Sequence, residues 1–190
     1  MTTTTRGAMA LDLPAAPLSP AMAAYHKKCE DRLGFVPNVL RAYGHDMGKL
    51  EAFVAFSFDL MQGPSGLTKL EREMIAVAVS SENHCFYCLA AHGAQVRVLS
   101  GDAKLGEMMV MNYRAAHLDA RHMAMLDFAV KMTKASATIM EADRQGLRDH
   151  GFAERDIWDI AAVAGFYNMT NRLASALDMR PNDEYHRLGR

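Results

Sequence analysis

Along nearly the whole chain the apolar residues recur at three- and four-residue intervals, and no stretch alternates apolar with polar residues long enough to cover one face of a sheet. β-Branched residues are thinly spread. This spacing predicts an all-α protein, with helices over 20–33, 37–62 (broken near Gly44 to Gly48), 69–81, 84–99, 102–111, 119–134, 139–150 and 154–178. Local chemistry punctuates several ends. Thr68 followed by Glu71, and Thr138 followed by Glu141, match the capping box, in which a hydroxyl and a carboxylate satisfy free amides at a helix start. Gly151 follows His150 where a left-handed residue would close a helix.

A chain of 190 residues is long enough to bury a substantial core as one domain. We expect that domain over 20–190, behind a flexible tail over 1–19 whose single Arg and lack of a sustained apolar run do not read as a secretory signal. The 21 basic and 22 acidic residues leave a net charge of −1, with neither sign gathered into a run, which argues against nucleic acid or a membrane surface as partner. Charged residues also interrupt every apolar run well short of the roughly 18 residues that a membrane span needs. Three cysteines, Cys29, Cys85 and Cys88, are too few for a disulfide framework, so a soluble, cytoplasmic protein is expected. In a reducing compartment a CxxC pair points to catalysis or metal rather than to a structural bridge.

That pair lies in HCFYCLAAHG, residues 84–93. At the helical turn angle Cys85, Cys88 and His92 share an arc of about 60°, with Leu89, Val96 and Leu99 on the same side. An inward-facing stripe of this kind is what a buried core looks like, and also what a dithiol in a pocket looks like. Ser81 or Asn83 is placed to cap the helix, setting both cysteines near its positive end, where a thiolate is stabilised. Glu73, at the edge of the Leu70, Met74, Val77 and Ser81 stripe of the preceding helix, is a candidate base; its other course is simply to reach solvent. A metal site is disfavoured. His84, Cys85, Cys88 and His92 all fall on one short helix, His84 points off the arc, and tetrahedral zinc draws its ligands from separated elements. Among the other residues, Met108, Met109, Met111, Met123, Met125 and Met132 suit core filling, and Trp158, Phe166 and Tyr167 are expected to pack in the last long helix or to line the pocket.

Laying Glu71 and Arg72 on Glu154 and Arg155 sets Glu73 on Asp156, Cys85 on Asn168, Cys88 on Asn171 and His92 on Ser175. The echo is either a duplicated helical unit or the chance likeness of two amphipathic helices.

Taken together, Glu73, eleven intervening residues, Cys85-Phe86-Tyr87-Cys88, three residues and His92 resemble the E-x11-CxxC-x3-H signature of AhpD-like alkylhydroperoxidases in the carboxymuconolactone decarboxylase superfamily. LGFVPNVLRAYG, LEREMIAVAVSSENHCFYCLAAHG and the segment from LDFAVKMTK onward are similar to its peroxidase-related branch, and the likeness spans about residues 20 to 180. The resemblance implies an all-α, AhpD-like fold of two related helical repeats, assembled as a trimer or hexamer. It also implies a thiol-dependent peroxidase reducing hydrogen peroxide or small organic hydroperoxides. Cys88 would be the peroxidatic thiol that passes through sulfenic acid, Cys85 the resolving thiol and proton donor, and His92 with Glu73 the proton relay. No metal, haem or flavin is implied, and a dithiol or protein reductant returns the electrons. Tyr87 stands where well characterised members carry His. Two other functions share these residues: a non-redox decarboxylase or isomerase using His92 and Glu73, and a redox-sensing oligomer without turnover.

Overall fold

The computed structural model of the chain describes residues 7–190. Nine α-helices are found among these residues and no strand: α1 Pro20–Leu33, α2 Asn38–Tyr43, α3 Met47–Gln62, α4 Lys69–Glu82, α5 Phe86–Ser100, α6 Ala103–Asn112, α7 Ala120–Ala135, α8 Glu141–Asp149 and α9 Glu154–Ala176. The all-α expectation holds and most helix ends fall within two residues of their expected places. No helix of the described residues is long and apolar enough to cross a membrane.

Helix α4 is the axle of the molecule, packed by α3, α5, α6, α7 and α9. Every residue from Glu71 to Ser80 is buried, so the helix has no solvent face at all along that stretch. Its three successive charges survive there because each has a partner. Glu71 completes the capping box expected at Thr68, accepting the Thr68 amide at 2.7 Å, and pairs with Arg121. Arg72 donates to the Leu60 and Gly63 carbonyls at 3.1 and 3.0 Å, closing the end of α3. Glu73 meets His92. An amphipathic stripe with Glu73 at its solvent edge is therefore not what forms.

Several local expectations are corrected. The start of α8 is not capped by Thr138, whose hydroxyl donates to Ala135 O at 2.8 Å in a short 3-10 turn; Met140 takes the cap position and its amide bonds Asp143 Oδ2 at 2.7 Å. Gly151 does adopt the left-handed conformation, at φ 81°. Trp158 is 61% exposed, Met111 82% and Leu99 42%, so these three lie outside the core. Met109 and Met125 are fully buried, as core filling requires.

Of the expected tail, residues 1–6 lie outside the described residues. Residues 7–19 run without helix along the body, with Ala10 N donating to Leu177 O and Ala16 N to Gly44 O, each at 2.8 Å. Beyond α9 the chain returns to the start of α2. Asn182 Oδ1 accepts the Asn38 amide at 2.7 Å, Asn182 Nδ2 donates to Val36 O at 3.1 Å, and Asn38 Nδ2 donates to Arg180 O at 3.0 Å. Arg97 of α5 holds the last turn, donating to Tyr185 O at 2.7 Å and Leu188 O at 2.9 Å.

Candidate active site

Between α4 and α5 the chain turns sharply through His84, at φ 51°, and α5 begins with Cys85 itself as its N-cap. Neither residue expected to cap α5 does so. Ser81 Oγ donates to Val110 O at 2.9 Å, and Asn83 Nδ2 donates to Asn168 Oδ1 and Asn171 Oδ1 at 3.1 and 3.0 Å. Both cysteines nevertheless occupy the first turn, where unpaired amides and the helix dipole favour negative charge. His84 is exposed and turned away from the arc. Among the described residues no group of three or more His, Cys, Asp or Glu side chains is placed to hold a metal ion.

The two thiols are free and buried, Cys85 being 1% and Cys88 4% exposed. They share a proton unequally. A hydrogen bond from the Cys88 thiol pulls the Cys85 thiol down to about 6, against burial and with help from the Cys88 backbone N–H, the Ser175 hydroxyl and the charge of His92. The same hydrogen bond, with burial and the charge on Cys85, pushes Cys88 well above the ordinary thiol range, while Asn171 and Ser80 oppose the rise. The pairing favours negative charge on Cys85 over Cys88.

One turn after Cys88, His92 Nδ1 lies 2.6 Å from Glu73 Oε2. A carboxylate there fixes the proton on Nδ1 and leaves Nε2 as the atom that accepts or gives a proton. The Tyr167 ring packs edge-on against the imidazole, with centroids 4.6 Å apart, and its hydroxyl is 3.4 Å from Nδ1. Burial, then the nearby Glu73 charge, pushes the Tyr167 phenol well up, so it stays protonated. Cys88, His92 and Glu73 line one cavity of about 230 Å³, whose remaining walls are mostly apolar and include the rings of Tyr43, Phe53 and Phe166. Cys85 does not line it. Tyr87, between the cysteines, is tied down: its hydroxyl accepts the Val39 amide at 2.9 Å at the start of α2.

Sequence spacing thus finds the four residues Glu73, Cys85, Cys88 and His92, and the structure brings them together. Asn171 and Ser175, reached only through the internal echo, do touch the thiols; Asn168 stands one step back, joined through Asn83. Ser80 is missed as a partner of the site, whereas Tyr167 and Phe166, expected to pack in the last long helix or to line the pocket, do line it. Ser80 leaves a trace in the sequence, as a polar residue that ends the buried run MIAVAV, whereas nothing local marks Tyr167 as the neighbour of His92.

The model of the carboxymuconolactone decarboxylase family matches residues 50–103, the stretch that carries Glu73, both cysteines and His92. The structure is similar to that of a peroxidase-related protein from Silicibacter sp. TM1040, at 63% identity over 100% of both chains with a TM-score of 0.95. It is also similar to a protein from Ralstonia eutropha JMP134 described as an alkylhydroperoxidase AhpD core, at 41% identity over 97% of this chain and 98% of that one, with a TM-score of 0.92. The chain belongs to this family, in its AhpD-like group. The fold, though little of the sequence, is shared with the debrominase Bmp8, at 19% identity over 89% and 90% of the two chains with a TM-score of 0.75. No curated protein matches the sequence.

Proposed function

We propose that the chain is a thiol-dependent peroxidase that turns over through Cys85 and Cys88. The observation that carries this reading is the division of labour at the site: one thiol carries the charge, and the other shares an apolar cavity with a histidine held by a buried glutamate. A hydroperoxide in the cavity meets Cys88, whose proton passes to Cys85 or to His92 Nε2. The Cys88 sulfur attacks the outer peroxide oxygen, the O–O bond breaks, and the leaving alkoxide takes a proton to become an alcohol. Cys88 is then a sulfenic acid. Cys85 attacks that sulfur, a disulfide forms, and hydroxide leaves as water once protonated. In sum, two thiols and one hydroperoxide give a disulfide, an alcohol and water. Aromatic walls favour an organic hydroperoxide over hydrogen peroxide, because only the former has apolar surface to bury.

The test is thiol-trapping mass spectrometry before and after one equivalent of cumene hydroperoxide. A Cys85–Cys88 disulfide should form in the wild type and none in Cys88→Ser, while Cys29 stays reduced. No peroxide-dependent disulfide in the wild type would end the reading.

The aromatic lining also favours a second reading, reductive removal of halide from a small aromatic ring. There the dithiol would supply two electrons, the ring would gain hydrogen, and the products would be halide and the disulfide. Bromide release from a brominated pyrrole in place of peroxide consumption would select it.

A further inference from the structure

The two cysteines line different hollows. Cys88 lines the aromatic cavity, whereas Cys85 lines a separate pocket of about 150 Å³ with His84, Ser175, Asp178 and Arg180. Tyr87, Ala174 and Met179 line both and form the wall between them. Of the three described non-glycine residues with positive φ, two stand on the second pocket: His84 at 51° and Asp178 at 46°. Each closes a helix in the left-handed conformation, with Cys85 N donating to Ser80 O at 3.0 Å and Met179 N to Ala174 O at 2.9 Å, so the ends of α4 and α9 meet at the pocket. The rim is polar, with Arg180 Nη2 on Asp178 Oδ2 at 2.6 Å. The pocket is too small for a bulky ligand, and a cysteine that is 1% exposed lies beyond the reach of a flat protein surface.

We propose that this pocket is the entry for the reductant. A slender dithiol, two thiols on a short carbon chain, reaches Cys85 past His84, Asp178 and Arg180, while the hydroperoxide reaches Cys88 from the aromatic cavity. The proposal rests on the dithiol cycle proposed above and adds the route and the sulfur attacked. Thiolate displacement runs in line with the S–S bond, from the side remote from the leaving sulfur, so an attack on Cys85 needs an opening away from Cys88. The reductant's first thiolate bonds to Cys85 Sγ, the Cys85–Cys88 bond breaks, and its electron pair leaves on Cys88. With Cys85 held in a mixed disulfide, its charge no longer opposes ionisation of Cys88. Asn171 and Ser80 support the leaving thiolate, and His92 Nε2 supplies its proton. The reductant's second thiol then closes on the first, releasing Cys85 as the thiolate at the start of α5. The reductant loses two electrons and two protons, and the pair regains them. Separate entries let reductant bind without displacing the peroxide or its product.

The experiment measures the two half-reactions separately on the full chain. Diamide forms the Cys85–Cys88 disulfide without any peroxide, and dithiothreitol then reduces it; in parallel, reduced protein is oxidised with cumene hydroperoxide. Arg180→Trp, which plugs the pocket rim, should slow reduction by about tenfold or more and leave oxidation within about twofold. Ser57→Trp, on the cavity wall, should do the reverse. Arg180→Phe is the smaller plug to use if Arg180→Trp does not fold, judged by circular dichroism. Reduction unchanged by either plug, or slowed by Ser57→Trp as much as by the plugs, would overturn the proposal and leave a single mouth. Because diamide makes the disulfide, a failure of peroxide to oxidise the pair would sink the peroxidase reading while the route of reduction is still measured.

Discussion

Replacing Cys88 by alanine isolates the interaction that puts the charge on Cys85. In the intact pair the Cys85 thiol titrates at about 6, against an ordinary 9.0. At about pH 7 that shift raises the thiolate fraction from about one in a hundred to about nine in ten. The Cys88 hydrogen bond is the largest cause, but the α5 amide, Ser175 and His92 remain in the variant, so the midpoint should move only part of the way, to about 8. Rates of alkylation would hide this. A rise of about two units cuts the thiolate fraction at about pH 7 roughly tenfold, while each remaining thiolate becomes more nucleophilic, by roughly eightfold at a Brønsted slope of about 0.4–0.5. The two nearly cancel, so the proper assay is thiolate ultraviolet absorbance against pH. Cys29 does not confuse the reading, because burial pushes its thiol up. A midpoint that moves by less than about half a unit in Cys88→Ala would refute the shared-proton account. So would a low midpoint that survives in Cys85→Ala.

Two more outcomes follow from the same geometry. The folded-state pKa of Cys85 is depressed, so between about 6 and 9 the unfolded chain holds a proton that the folded one has lost; the melting temperature of the reduced wild type should therefore gain on that of Cys85→Ala as pH rises through this window, and the gain should vanish below it. Glu73→Gln keeps the size of the side chain but removes the charge that holds His92 by Nδ1, and should lower kcat/KM for cumene hydroperoxide by about a hundredfold with the fold intact; a loss under about threefold would mean that His92 needs no support from Glu73.

How much of this was legible in the sequence depends on the range of the interaction. The helix over 69–82 announces itself through its period and through Thr68 and Glu71, because a capping box is complete within four residues. Glu73 does not announce its burial, since no local pattern reveals that five other helices close around α4. Thr138 offers the right residue at the right spacing, yet Asp143 reaches the Met140 amide and the turn closes later. The four candidate side chains are recoverable because one helix pair carries them at fixed offsets. Tyr167 comes from α9, 75 positions beyond His92, and only folding introduces it. The two hollows beside the cysteines are legible nowhere in the sequence, because each is the space left among segments far apart in the chain.

The clasp between Asn38 and Asn182 sets an order of events during synthesis. Its hydrogen bonds join positions 144 apart, so they close only after residue 182 has left the ribosome. Helices α4 and α5 pair locally and can be in place long before that. For the interval between, the nascent chain carries two thiols on the α4–α5 pair whose cavity lacks the walls that α9 and Tyr185 will provide. A peroxide burst in the cell would then meet unfinished copies with open sulfurs. These would be prone to over-oxidation or mixed disulfides that finished copies resist, and newly made chains would be the first casualties of the stress the protein is proposed to relieve.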